Sequence, residues 1–180
     1  VDACVLDKMA AKLDLRPAQH VDAQRRRLAE LVGRRDDIVG SITAETHRLS
    51  MARDPYVRRD IGRMLGVLRG RRAAIEKEIA SHISSHKALA DDASRLRTAP
   101  GVGPTIAAIL LARLPELGQL DRREIASLAG LAPHACDSGL RRGRRHVWGG
   151  RADVRRALYL AAFVASRYNP ALKAVRERMQ

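Results

Sequence analysis

Between residues 17 and 85 the apolar side chains recur at alternating intervals of about three and four. One set runs Val21, Leu28, Leu31, Val32, Ile38, Val39, Ile42 and Leu49. A second runs Val57, Ile61, Met64, Leu65, Leu68, Ile75, Ile79 and Ile83. That spacing puts each set on one face of a long helix, and no strand can present it. The stretch "ARDPY" separates them, with Pro55 suited to the first turn of a new helix. Two such helices joined by so short a link form an antiparallel hairpin. A narrow apolar stripe on each arm buries little alone, so a matching pair from a second copy is the expected complement. The charges on these arms, "RRR" at 25–27 and "RR" at 58–59, read as a solvated face.

From Asp91 the pattern changes to shorter helical stretches punctuated by glycine and proline. "DDASRLRTA" predicts a helix with an acidic start. "PGVGPTIAAILLARL" predicts a tight turn and then a strongly apolar helix from about Pro104 to Leu114. "DRREIASLAGLAP" predicts another, capped by Asp121. "RADVRRALYLAAFVASRY" predicts a long one, and Pro170 opens the last. Aromatic residues are only 3% of the chain, which favours helix over strand. The expected fold is mainly all-α: a long helical hairpin or coiled coil plus a compact helical domain. The compact part would hold a helix-hairpin-helix-like element, and a short two-stranded ribbon around Ser138 to Trp148 is compatible with the sequence.

The formal net charge is +14, an excess that attracts polyanions such as DNA or RNA. No apolar run is long enough to span a bilayer and no signal peptide opens the chain, so a cytoplasmic location is expected. Cys4 and Cys136 have neither metal-site nor disulfide-framework spacing and read as reduced thiols. Cys136 is also a rival nucleophile to Ser138, but without a neighbouring His-and-Asn context. The chain starts at Val1 without a methionine, as a piece of something longer would.

Two stretches carry chemistry. In "LRTAPGVGPTIAAILL", Gly101 and Gly103 would allow positive φ and close approach, so backbone N–H groups could face a phosphate at the next helix's N-terminus. This stretch resembles the helix-hairpin-helix module of DNA-repair and recombination proteins; such a contact would be independent of base sequence. In "DSGLRRGRRHVWGGRADVRR", Ser138 precedes seven arginines: Arg141, Arg142, Arg144, Arg145, Arg151, Arg155 and Arg156. Arginine forks suit bidentate phosphate recognition, and charge of this kind would support a serine attacking a phosphodiester. Trp148 has two readings, a base-stacking surface residue or, more commonly for a lone tryptophan, a core residue.

The order of "PGVGPTIAAILLARL", "LAGLAP", "DSG" and "RRGRRHVWGGRADVRRALYLAAFVASRYNPALK" resembles the C-terminal half of transposases of the IS-one-ten insertion-sequence family, related to the Piv site-specific DNA invertases. The resemblance implies an RNA-guided serine-type recombinase. A RuvC-like domain would bind Mg2+ through four acids, and a helical region would join it to a domain bearing the nucleophile, here Ser138. By this likeness residues 1–16 are the remnant of the RuvC-like domain, with Asp2 as its last metal-binding acid. Residues 17–90 form the coiled-coil hairpin and 91–180 the transposase domain. The implied partners are DNA, a guide RNA encoded by the element, and further copies of the chain through the hairpin, in a bacterial, nucleoid-associated setting. Without most of the metal site, this piece would bind DNA and cleave it poorly. Ala135-Cys136 departs from the polar and basic pair usual before the aspartate. The alternative is a non-catalytic nucleic-acid-binding and oligomerisation module in which Ser138 is idle.

Overall fold

A computed structural model describes residues 3–12, 22–134, 143 and 145–178. The fold is mainly all-α. In chain order it comprises α1 (Ala3–Lys12), α2 (Ala23–Met51), α3 (Pro55–Ser85), α4 (Lys87–Arg97), α5 (Pro104–Arg113), α6 (Arg122–Leu128), β1 (Pro133–His134), β2 (His146–Val147), α7 (Ala152–Tyr168) and α8 (Pro170–Arg178).

The hairpin is α2 and α3, packed along their length. Each arm starts on an aspartate: Asp22 accepts from the Gln24 N–H, and Asp54 from those of Tyr56 and Val57, with Pro55 at the first helical position. The end of α2 is closed by Arg58, which donates to the carbonyls of Leu49 and Ala52 at 3.0 and 2.9 Å. Leu28, Val32 and Ile38 of α2 and Ile61, Leu65 and Ile79 of α3 are buried. Val57 and Met64, members of the expected stripe, are exposed.

The base of the stripe has a partner within the chain. Leu28, Val32 and Ile79 share one core cluster with Leu89 and Ala93 of α4 and with Ala108, Leu111 and Ala112 of α5. The arginines near this junction differ from their expected role. Arg25 pairs with Asp92 of α4 at 2.8 Å, and Arg27 pairs with Glu78 of α3 at 2.8 Å. Arg35 joins Glu76 across the hairpin at 3.0 Å. These side chains tie elements together instead of forming a purely solvated face. Buried His82 reinforces the base: its Nε2 lies 3.0 Å from the Gln24 carbonyl.

α4 starts at Lys87, ahead of the acidic pair at Asp91 that the sequence singled out. The chain breaks at His86, whose extended backbone separates α3 from α4. The lack of glycine or proline there hid this boundary. α6 carries a reciprocal capping box, Asp121 accepting from the Glu124 N–H while Glu124 accepts from that of Asp121. A second core cluster, Leu110, Leu114, Ala129 and Val154, joins α5, the end of α6 and α7. The ribbon is antiparallel, pairing Pro133 with Val147 and His134 with His146. Its first strand lies upstream of the span expected from sequence.

Candidate nucleic-acid interface

The helix-hairpin-helix-like element is α4, the turn at 98–103 and α5. Its two glycines differ. Gly101 adopts φ +88, and a Cβ there would be 3.1 Å from both the Ala161 carbonyl carbon and the Ala165 nitrogen of α7, and closer still to the Ala161 oxygen. Gly101 thus serves close packing inside the molecule. Gly103, expected to share its freedom, has φ −84 and no atom within 4 Å of an added Cβ. It caps α5, with Pro104 at the first helical position, and its carbonyl accepts from the Ala107 N–H at 3.0 Å. The extended backbone of Gly103 follows from Pro104, because proline disfavours the helical region in the residue before it.

Of the arginine-rich stretch, Arg145, Arg151, Arg155 and Arg156 are described; Ser138, Arg141, Arg142 and Arg144 lie outside the described residues, as does Asp2. The stretch connects β1 to β2 and then enters α7. Its exit is fixed by a polar clamp. Arg151 donates both terminal nitrogens to the Glu116 carboxylate, each bond 2.7 Å, and Nη1 also reaches the Arg113 carbonyl at 2.7 Å. Arg113 pairs with Asp153 at 3.1 Å. Hydrogen bonding to Arg151 holds the Glu116 carboxyl below its ordinary range, against a smaller opposing effect of burial; the same bonds push Arg151 up.

One turn further on, Arg155 donates to the carbonyls of Gly149 and Gly130, at 2.7 and 3.2 Å. The Arg151 N–H donates to the Leu128 carbonyl at 2.8 Å. Gly130, Gly149 and Gly150 all have positive φ, between 62° and 73°. A Cβ on Gly150 would meet the backbone of Gly130 and Leu128. The backbone that Gly150 approaches here is the chain's own, at the end of α6. Arg151 and Arg155 accordingly form the frame, while Arg145 and Arg156 are exposed. Sequence reasoning missed Glu116 and Arg113; neither lies near the arginines in the chain, and only the fold pairs them.

Trp148, for which a core position was the more common expectation, is 61% exposed. The core contains no Phe, Tyr or Trp side chain: Tyr56, Tyr159, Phe163 and Tyr168 are exposed as well. A compact α-helical unit with a glycine turn, an arginine-framed ribbon and exposed aromatics has the makings of a polyanion-binding surface.

Residues 93–177 match the family described as "Transposase IS116/IS110/IS902 family". Over this segment, just under half of the chain, the protein is similar to transposases of insertion sequences. The matched span holds α5 through α7, the ribbon and Ser138. No curated protein matches the chain. Among the described residues no helix is long and apolar enough to cross a membrane.

Proposed function

We propose that the chain is the hairpin and strand-transfer part of a DNA transposase of this family. The observation that carries the reading is the family match over residues 93–177, a span that includes Ser138 and its arginines. In this reading the Ser138 hydroxyl attacks a DNA phosphorus. A new serine–phosphate ester forms as the bond to one bridging oxygen breaks, and the departing strand end leaves as a hydroxyl carrying the proton. One ester replaces another, so strand exchange and religation need no high-energy cofactor. Arginines stabilise charge on the non-bridging oxygens. The frame made by Glu116, Arg151 and Arg155 supports this reading because it holds the exit of the serine-bearing stretch against α5 and α6.

An element-encoded RNA selects the DNA in this proposal, and the α2–α3 hairpin joins copies of the protein. Magnesium belongs to acids outside the described residues, Asp2 among them. The described residues contain no group of three His, Cys, Asp or Glu side chains placed to hold a metal ion.

The test uses the full-length enzyme with guide RNA, magnesium and end-labelled DNA, resolved on a denaturing gel. A covalent protein–DNA adduct forms with the parent enzyme and is absent from Ser138→Ala, which still binds DNA. An adduct that survives Ser138→Ala, or one that mass spectrometry maps to Cys136 or a tyrosine, overturns the assignment.

A further inference from the structure

α7 places its aromatics where folding does not need them. Its buried side is small: Val154, Ala157, Ala161 and Ala165. Its outer side carries Arg156, Tyr159, Phe163 and Arg167 at successive intervals of three, four and four, which is one helical face. Tyr159 is 67% and Phe163 48% exposed. Their rings are nearly parallel, 20° apart in plane with centroids separated by 6.4 Å. The Arg167 guanidinium lies over the Phe163 ring, 4.8 Å from its centroid. Among the described residues Arg156 forms no ion pair. The four residues span about 16 Å of helix.

We propose that this face binds unpaired nucleobases, Tyr159 and Phe163 acting as stacking planes with Arg156 and Arg167 holding the flanking phosphates. The inference deepens the reading above by naming single-stranded nucleic acid as a ligand of the transposase segment. Planar rings flanked by guanidinium groups are what a single strand needs, since every base has a π-face and every linkage a negative charge.

A second copy of the chain fits this face less well. α7 and α8 together carry Arg155, Arg156, Arg167, Lys173, Arg176 and Arg178 against only Asp153 and Glu177. Asp153 is already engaged by Arg113. Two copies meeting here would bring like charges together, whereas a nucleic-acid strand supplies the opposite charge.

Trp148 is a further exposed aromatic near one end of α7. It immediately precedes Gly149, whose carbonyl is bonded to Arg155 in the first turn of α7, and so stands at the N-terminal end of that helix. A strand lying along α7 would run toward the arginine-framed ribbon.

The experiment measures fluorescence anisotropy of the intact chain with a labelled oligodeoxythymidylate, which has no duplex structure, and with a labelled blunt duplex. The double variant Tyr159→Leu/Phe163→Leu keeps apolar bulk but removes the planes. It should lose on the order of tenfold or more in affinity for the single strand, from the known worth of base–aromatic stacking, and stay within about twofold on the duplex. The swap Tyr159→Phe/Phe163→Tyr should bind like the parent. Arg167→Gln, at an exposed position that leaves the fold intact, should weaken single-strand binding and steepen no other property. Wild-type affinity in the leucine variant, equal losses on both ligands, or a change confined to sedimentation of the free protein would each overturn the proposal. A parent chain that binds duplex while the leucine variant matches it on both ligands overturns this inference alone. A parent chain that binds neither ligand also removes the nucleic-acid reading beneath it.

Discussion

Gly101 and Gly103 are two residues apart in one turn, yet alanine should cost much at the first and almost nothing at the second. At Gly101 the backbone is left-handed, which costs an L-residue about 1–2 kcal/mol. The added Cβ would also enter the space of the Ala161 carbonyl, a main-chain group of α7 that cannot rotate away. Moving α7 aside costs about 1–3 kcal/mol more, as for other overpacked sites. Gly101→Ala should therefore lose roughly 2–5 kcal/mol, a fall in melting midpoint on the order of 5–15 °C for a chain of this size. At Gly103, φ is −84 and the space is open. Alanine there loses a little as an N-cap and gains from a stiffer unfolded chain, terms of a few tenths to 1 kcal/mol that oppose each other. The expected net change is within about 0.5 kcal/mol. Urea unfolding followed by far-UV circular dichroism measures both. Equal effects at the two sites, or a Gly101→Ala variant as stable as the parent, would refute the reasoning. The same contrast makes Gly103 the position at which to probe phosphate approach. Gly103→Leu should fold normally and weaken duplex binding about equally on all DNA sequences, because a backbone contact reads no bases; unchanged affinity would assign the turn to structure alone.

Glu116→Gln should cost about 1–2 kcal/mol at neutral pH, the lower part of the range for charged hydrogen bonds because both partners keep some solvent. The folded carboxyl is held below its ordinary 4.5, so its contribution is complete above that pH and fades as pH falls through the lower, folded value. Urea midpoints of parent and variant should therefore converge in acid, and a constant difference from neutral pH to pH 3 would contradict the clamp. In the hairpin, Leu28→Ala should cost about 2–5 kcal/mol because that side chain is fully buried at the base. Exposed Met64→Ala should stay within about 0.5 kcal/mol in the same assay; similar losses at both positions would mean the buried seam does not carry the hairpin's stability.

The helices were legible because their signals are local. Asp54-Pro55 and Asp121 capped helices where the sequence placed them, and the three-and-four spacing of the stripes marked both arms. What covers a stripe is not local. Nothing in Leu28 or Val32 distinguishes a partner subunit from α5 of the same chain, and only the path of the chain decides it. The arginines show the same divide. Their density signalled a polyanion surface, but which of them would be free depended on Glu116 and on the carbonyls of Gly130 and Gly149, all set by tertiary contacts. Gly101 and Gly103 looked equivalent as letters; the proline after one and the helix beside the other separated them.

A core without Phe, Tyr or Trp has a practical consequence for anyone who follows this protein by light. Its interior is built from aliphatic side chains that neither absorb near 280 nm nor emit. The single indole, Trp148, sits on the outer surface beside the ribbon. Tryptophan emission will thus report events at that surface and register little of the loss of the core. A shift on adding a ligand can be assigned to a small part of the molecule without mutagenesis. The converse also holds: a flat emission trace during heating says nothing about whether the helices have come apart.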